Sequence, residues 1–195
     1  MTILRTIAAG AAATVGLMAS ASAATVNLTA SDDVVLNGDT VEVAVTFTAD
    51  DPAEFLVDSL FEIDFDAGLF GFVSADFATD ELQFEEEGVF EAAVTSEGIL
   101  EVSAASFDFL DVLSAGQSDA FTVVTLTFEA LANGEGTFSL TDLSTFLFAS
   151  GLDGDLFEAT INVASADVEV VPLPGAIVFL LTGVAGLAAR RRLAA

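Results

Sequence analysis

Apolar residues recur at every second position in a series of short runs along the chain, and this period of two is what most limits its fold. Val41, Val43, Val45 and Phe47 alternate with Glu42, Ala44, Thr46 and Thr48; Val124, Leu126 and Phe128 alternate with Thr125, Thr127 and Glu129. Successive side chains of a strand point to opposite faces, so each such run predicts a half-buried strand. The pattern returns at Phe61, Ile63 and Phe65 against Glu62, Asp64 and Asp66, at Phe90, Ala92 and Val94, and at Leu100, Val102 and Ala104. It recurs at Phe138 and Leu140, and at Phe157, Ala159, Ile161 and Val163. Val168 and Val170 fall on the opposite phase from Val163, which predicts a β-bulge between Ala164 and Ala166. Turn signals separate the runs at Asn37-Gly38-Asp39, Asp66-Ala67-Gly68, Glu97-Gly98, Asn133 to Gly136 and Gly151 to Asp155. About nine short strands with no sustained helical period predict an all-β fold, an antiparallel β-sandwich. Between Asp76 and Gly88 the pattern lapses, and the acid run Glu85, Glu86, Glu87 reads as a loop or a short helix.

The core must be built from aliphatic residues and phenylalanine, because the chain has 18 Phe and neither Trp nor Tyr. The close pairs Phe70/Phe72, Phe107/Phe109 and Phe146/Phe148 read as core packing, since large apolar side chains are usually inside. Polar composition is lopsided: 31 Asp and Glu all lie between Asp32 and Glu169, while the four basic residues are Arg5, Arg190, Arg191 and Arg192. Nucleic-acid binding needs cations against phosphates and is excluded for such a body. Without His or Cys there is no Ser/His or Cys/His nucleophile and no ordinary zinc site, and without Lys no Schiff base. An enzyme would have to rest on a carboxylate pair of the glycosidase kind, and the sequence singles out none. The expectation is a protein without catalytic residues.

Both ends carry addresses. Residues 1–23 join Arg5, an apolar stretch from Ile7 to Met18 and the small-residue triplet Ala21, Ser22, Ala23, the plan of a secretory signal peptide cleaved after Ala23. At the other end an uncharged segment from Val170 to Ala189 matches the roughly 20 residues that cross a bilayer as a helix, and Arg190, Arg191 and Arg192 close it. Arginines at that end stay cytoplasmic, so the acidic body lies outside. The domain plan is therefore 1–23 signal peptide, 24–170 sandwich and 171–195 sorting segment.

A proline motif, an apolar helix and a terminal basic cluster resemble the PEP-CTERM class of bacterial sorting signals. Val171, Pro172, Leu173 and Pro174 match the VPLPA-CTERM variant, with Gly175 where that motif has alanine. The resemblance implies a Gram-negative bacterium, an inner-membrane stage held by the C-terminal helix, and an exosortase-type protease that removes the helix and passes the body to the cell surface or extracellular matrix. A permanent single-span anchor is the alternative. The body resembles the cohesin-like β-sandwich, a jelly roll related to cellulose-binding modules. The similarity lies in the turn Leu36 to Thr40 before the strand VEVAVTF, in LFEIDFDAGLFGFVSADF from Leu60 to Phe77, and in VTLTFEALANGEGTFSL from Val124 to Leu140. It implies adhesion to a protein partner or to polysaccharide.

Two readings of the carboxylates follow. Asp32, Asp33, Asn37 and Asp39, and Asp153 with Asp155 across Gly154, place oxygen donors in loops as calcium sites do, and the same residues also make turns. Acids alternating out of the core, as Glu62, Asp64 and Asp66 do, form like-charged rows whose repulsion salt screens. The sequence thus predicts a non-enzymatic exported surface or matrix protein, structural or adhesive. A polysaccharide-binding module with calcium as its cation is the alternative.

Overall fold

A computed structural model describes residues 24–172 and Gly175. In chain order the elements are β1 (Thr25–Ala30), β2 (Val34–Leu36), β3 (Thr40–Thr48), β4 (Glu54–Asp64), β5 (Phe70–Phe77), α1 (Thr79–Leu82), β6 (Val89–Ser96) and β7 (Ile99–Ala105). After them come α2 (Leu110–Gly116), β8 (Ala120–Ala130), β9 (Gly134–Leu140), β10 (Thr145–Ser150), β11 (Leu156–Glu158), β12 (Thr160–Val163) and β13 (Ser165–Val171). They form two packed sheets. One runs β12-β1-β3-β8-β5; the other runs β11-β10-β4-β9-β13-β2, with β7 on the second side of β4 and β6 beyond it.

The alternating runs behave as their period dictates. In β3, Val41, Val43, Val45 and Phe47 are fully buried, and in β8 Leu126 and Phe128 are. The two strands pair antiparallel from Thr40↔Glu129 to Thr48↔Ala120. Phenylalanines knit the sheets together: Phe128 of β8 meets Phe138 of β9 at a tilt, with a centroid distance of 4.7 Å, and Phe138 lies 4.7 Å from Phe70 of β5. Phe65 approaches Phe128 at 5.1 Å, and Phe61 stacks on Phe146 at 5.0 Å. Each such pair adds about 0.5–1.5 kcal/mol beyond the area it buries.

Four sequence expectations are corrected. The strands number thirteen among the described residues, and the sandwich is not wholly antiparallel, because β1 pairs with β12 and β13 with β2 in parallel. The bulge expected between Ala164 and Ala166 lies earlier, where Asn162 is skipped in the register of β12 with β1, and at Ala164 the chain then crosses from the first sheet, which holds β12, to the second, which holds β13. The run from Phe157 to Val163 is likewise divided between β11 and β12, leaving Phe157 and Val163 exposed. Bulges occur elsewhere, where Val57, Val73, Thr95 and Val123 interrupt the registers of their strands. Finally, Phe107 and Phe109 are not core residues but the most exposed phenylalanines of the described chain, at 62% and 73%.

The acid run Glu85, Glu86, Glu87 takes the loop form of the two expected, and the single-turn α1 precedes it. The turn at Gly98 requires glycine. Its φ is +80°, and a Cβ there would stand 2.6 Å from the carbonyl oxygen of Phe65. No helix among the described residues is long and apolar enough to cross a membrane. Ala21 and Ala23 of the expected cleavage site, Leu173 and Pro174 of the expected sorting motif, and Arg190, Arg191 and Arg192 of the expected basic cluster lie outside the described residues.

Candidate interaction face

Register places a set of polar side chains on the outer surface of β10-β4-β7-β6. In β4, Ser59, Phe61 and Ile63 are buried, so Asp58, Leu60, Glu62 and Asp64 take the outer face. Leu60 sits opposite Ser103 of β7 and Thr145 of β10, and it is half exposed at 50%. Glu62 lies directly across from Glu101, and Glu101 across from Ala93 of β6. Asp64 pairs with Ile99, and Glu91 of β6 with Ser103. One leucine is therefore held out amid carboxylates. Glu62 is fixed by its surroundings: its carboxylate accepts a hydrogen bond from Thr141 Oγ1 at 3.3 Å, and its backbone N–H donates to Ser144 Oγ at 3.3 Å.

The other half of this surface is covered. At the β4 bulge Val57 is the extra residue, so Phe55 lies on the outer side while its neighbour Leu56 points into the main core. There α2 packs Leu113 against Phe55 and Ala149, with Val57 and Leu110 at the margin. Gln117, just after the helix, secures it. Its Oε1 accepts the N–H of Leu56, while its Nε2 donates to the carbonyls of Leu56 and Glu81, both at 3.1 Å. Pairing with β7 ends at Asp58, so this amide side chain serves as the strand partner that Leu56 lacks.

Between β7 and α2 lies a second polar anchor. Asp108 is 6% exposed; its Oδ2 accepts the N–H of Phe84 at 2.7 Å, and its Oδ1 accepts those of Glu85 and Glu86, both at 2.8 Å. Burial pushes this carboxyl up, but the N–H donors of Phe84, Glu86 and Glu85 and the Ser106 hydroxyl outweigh it and hold it below the usual aspartate value. Phe107 and Phe109 flank it and face solvent.

The loop carboxylates proposed for calcium are spread over separate turns. Asp32 and Asp33 precede β2, Asp39 follows it, and Asp153 and Asp155 lie exposed in the β10–β11 turn. Asp32 accepts from Ser31 Oγ at 3.1 Å, and the Asn37 amide donates to Asn133 Oδ1 at 3.3 Å. Among the described residues no three or more carboxylates gather as a metal cage. Asp33 instead lines an open cleft of about 740 Å³ with Glu135, Asp167 and Glu169. Of the residues expected to form a sorting motif, Val171 ends β13 opposite Leu36, while Pro172 and Gly175 are exposed.

Sequence reasoning missed Leu60, Gln117 and Asp108. Leu60 was legible, since the phase that puts Glu62 and Asp64 outside puts Leu60 there too. Asp108 and Gln117 act on partners far along the chain and left no local signal.

No family model matches the chain, and no curated protein matches it. Solved structures do. The sixth cohesin of scaffoldin B from Acetivibrio cellulolyticus, in complex with a mutant Cel5 dockerin, is 18% identical, with a TM-score of 0.57 over 75% of this chain and 99% of that one. The OlpA cohesin of Clostridium thermocellum, in complex with a dockerin, is 21% identical, with a TM-score of 0.56 over 75% and 99%. CaCohA2 of Clostridium acetobutylicum is 14% identical, with a TM-score of 0.59 over 76% and 91%. The body has the cohesin β-sandwich fold.

Proposed function

We propose that the protein is a non-catalytic docking module, exported and sorted by an exosortase-type system, whose outer face on β10-β4-β7-β6 binds a basic protein surface at the cell surface or in the extracellular matrix. The observation that carries this reading is Leu60, half exposed among Asp58, Glu62, Asp64, Glu91 and Glu101 in a body that has no Lys or Arg. An exposed apolar centre with a charged rim is how protein interfaces are built, and an all-acidic rim selects a cationic partner. Two of the similar structures were solved with a dockerin bound, which supports a protein partner.

The test uses the protein as bait against the surface fraction of the producing cell. Wild type should retain a partner that about 0.5 M salt releases, since screening shortens the reach of charge. Leu60→Asp should lose it; retention of the same partner by that variant refutes the reading. Intact-mass measurement of the natural protein tests the sorting step. Loss of residues 1–23 and of the residues after Gly175 supports it, and retention of the C-terminal residues leaves a membrane anchor.

A further inference from the structure

The segment Ser106–Phe109 fixes two phenylalanines in solvent. A loop that merely connected β7 to α2 would need neither, and a folding chain normally hides such residues. Here the residue between them is the buried one. Asp108 turns inward to take three backbone N–H groups from Phe84, Glu85 and Glu86, its own N–H meets Ser106 Oγ at 3.2 Å, and Ser106 N–H bonds the carbonyl of Val57 at 3.0 Å. The loop is held at both ends, and Phe107 and Phe109 project from a backbone that binding need not order. Preorganised aromatic side chains of this kind are the usual anchors of protein interfaces.

We infer that Phe107 and Phe109 form a second docking surface, distinct from the Leu60 face, for a protein segment that presents apolar side chains flanked by Lys or Arg. The charge around them selects that occupant. Glu85, Glu86 and Glu87 are exposed on the loop that Asp108 holds, Asp111 is exposed in the first turn of α2, and residues 24–172 contain no cation. An anionic surface is repelled from this patch, whereas a basic segment is steered to it and has its apolar side met by the two rings.

The chain has no Trp or Tyr, so a peptide carrying one tryptophan reports its own binding without background. The probe is a short amphipathic helix of leucine and lysine with a single Trp, titrated with the natural protein at about 0.05 M salt, where screening is weak. A leucine and glutamate helix of the same pattern serves as control. Saturable binding of the basic peptide alone is expected, weakened about tenfold or more by Phe107→Ser with Phe109→Ser, as for interface anchors. Leu60→Asp should weaken it less than the double variant does, since both rings stay in place. Hydrogen exchange on the wild-type protein gives a second measure that needs no variant: peptide should protect the amides from Phe107 to Asp111. Equal binding by the double variant, no binding at low salt, or no protection of those amides overturns the inference. Capture of phosphatidylcholine vesicles in place of the peptide overturns it as well. Loss of peptide binding through Leu60→Asp alone would leave the Leu60 face standing and remove this one.

Discussion

Replacing Asp108 should destabilise the protein through the loop it holds rather than through the core. The carboxylate takes three backbone N–H groups at 2.7, 2.8 and 2.8 Å while nearly excluded from water. A hydrogen bond to a charged group contributes about 1.5–3 kcal/mol net, and three bonds sharing one carboxylate are not additive, so Asp108→Ala should cost about 3–5 kcal/mol. In Asp108→Asn one oxygen still serves Glu85 and Glu86, but an amide NH₂ replaces the acceptor of Phe84 and faces its N–H. The charge is lost too, for a cost of about 2 kcal/mol.

Urea unfolding measures this, with an unchanged slope showing that the same surface is exposed. Amide exchange at Phe84, Glu85 and Glu86 should accelerate more than at β3 or β8. The carboxyl sits below the usual aspartate value in the folded protein, so its stabilisation is complete above about pH 4 and is lost as pH falls through the folded value. The gap between wild type and Asp108→Asn should therefore be widest near neutral pH and close on acidification. An Asn variant within about 0.5 kcal/mol of wild type, the scatter of ordinary surface changes, would refute the reasoning.

Gly98→Ala should cost about 2 kcal/mol or more in the same assay, since it sets a Cβ 2.6 Å from Phe65 O at a φ of +80°. Phe128→Ala, which removes the ring in tilted or edge contact with Phe65, Phe72 and Phe138, should cost about 3–5 kcal/mol by calorimetry or urea. Glu101→Lys turns the like-charged pair with Glu62 into an attractive one and should stabilise by about 1 kcal/mol at low salt, with the gain shrinking as salt is added. The wild-type melting temperature should rise steadily up to about 1 M salt, where the screening length is about 3 Å; indifference to salt would show that the acid rows do not repel.

What the sequence shows of this fold depends on how local the cause is. Alternation in β3 and β8 is local and strict, so both strands and their buried phase are readable residue by residue. At Ala164 the sequence records only a change of phase, and a bulge and a crossing between sheets produce the same change. The seven-residue α2 has no side-chain cap and shows only Leu110 and Leu113 at helical spacing. Phe107 and Phe109 mislead for a physical reason: their exposure is decided by Asp108, whose partners lie 22 to 24 residues upstream. Of the interaction face, the outward acids of β4 were readable and the role of Leu60 among them was not. Its meaning comes from Ser103 and Thr145, which small size keeps from covering it.

The shortage of cations explains how the polar groups of this sandwich are arranged. Every arginine lies outside residues 24–172, so no carboxylate there can pair with a basic side chain of that segment, and each carboxylate that is buried must find its counter-charge elsewhere. The backbone supplies it. Glu54, 8% exposed, accepts the N–H groups of Asp50 at 2.9 Å and Asp51 at 3.3 Å, as Asp108 does those of Phe84 to Glu86. Glu81 takes both the N–H and the hydroxyl of Ser118, and Asp66 takes the N–H of Gly68. Amide donors satisfy these carboxylates without adding a positive side chain to the body, so the outer faces retain their negative field. Ion pairs between side chains of residues 24–172 are thus excluded, and a partner that brings Lys or Arg can form them. The composition that removes ion pairs from the fold reserves them for binding.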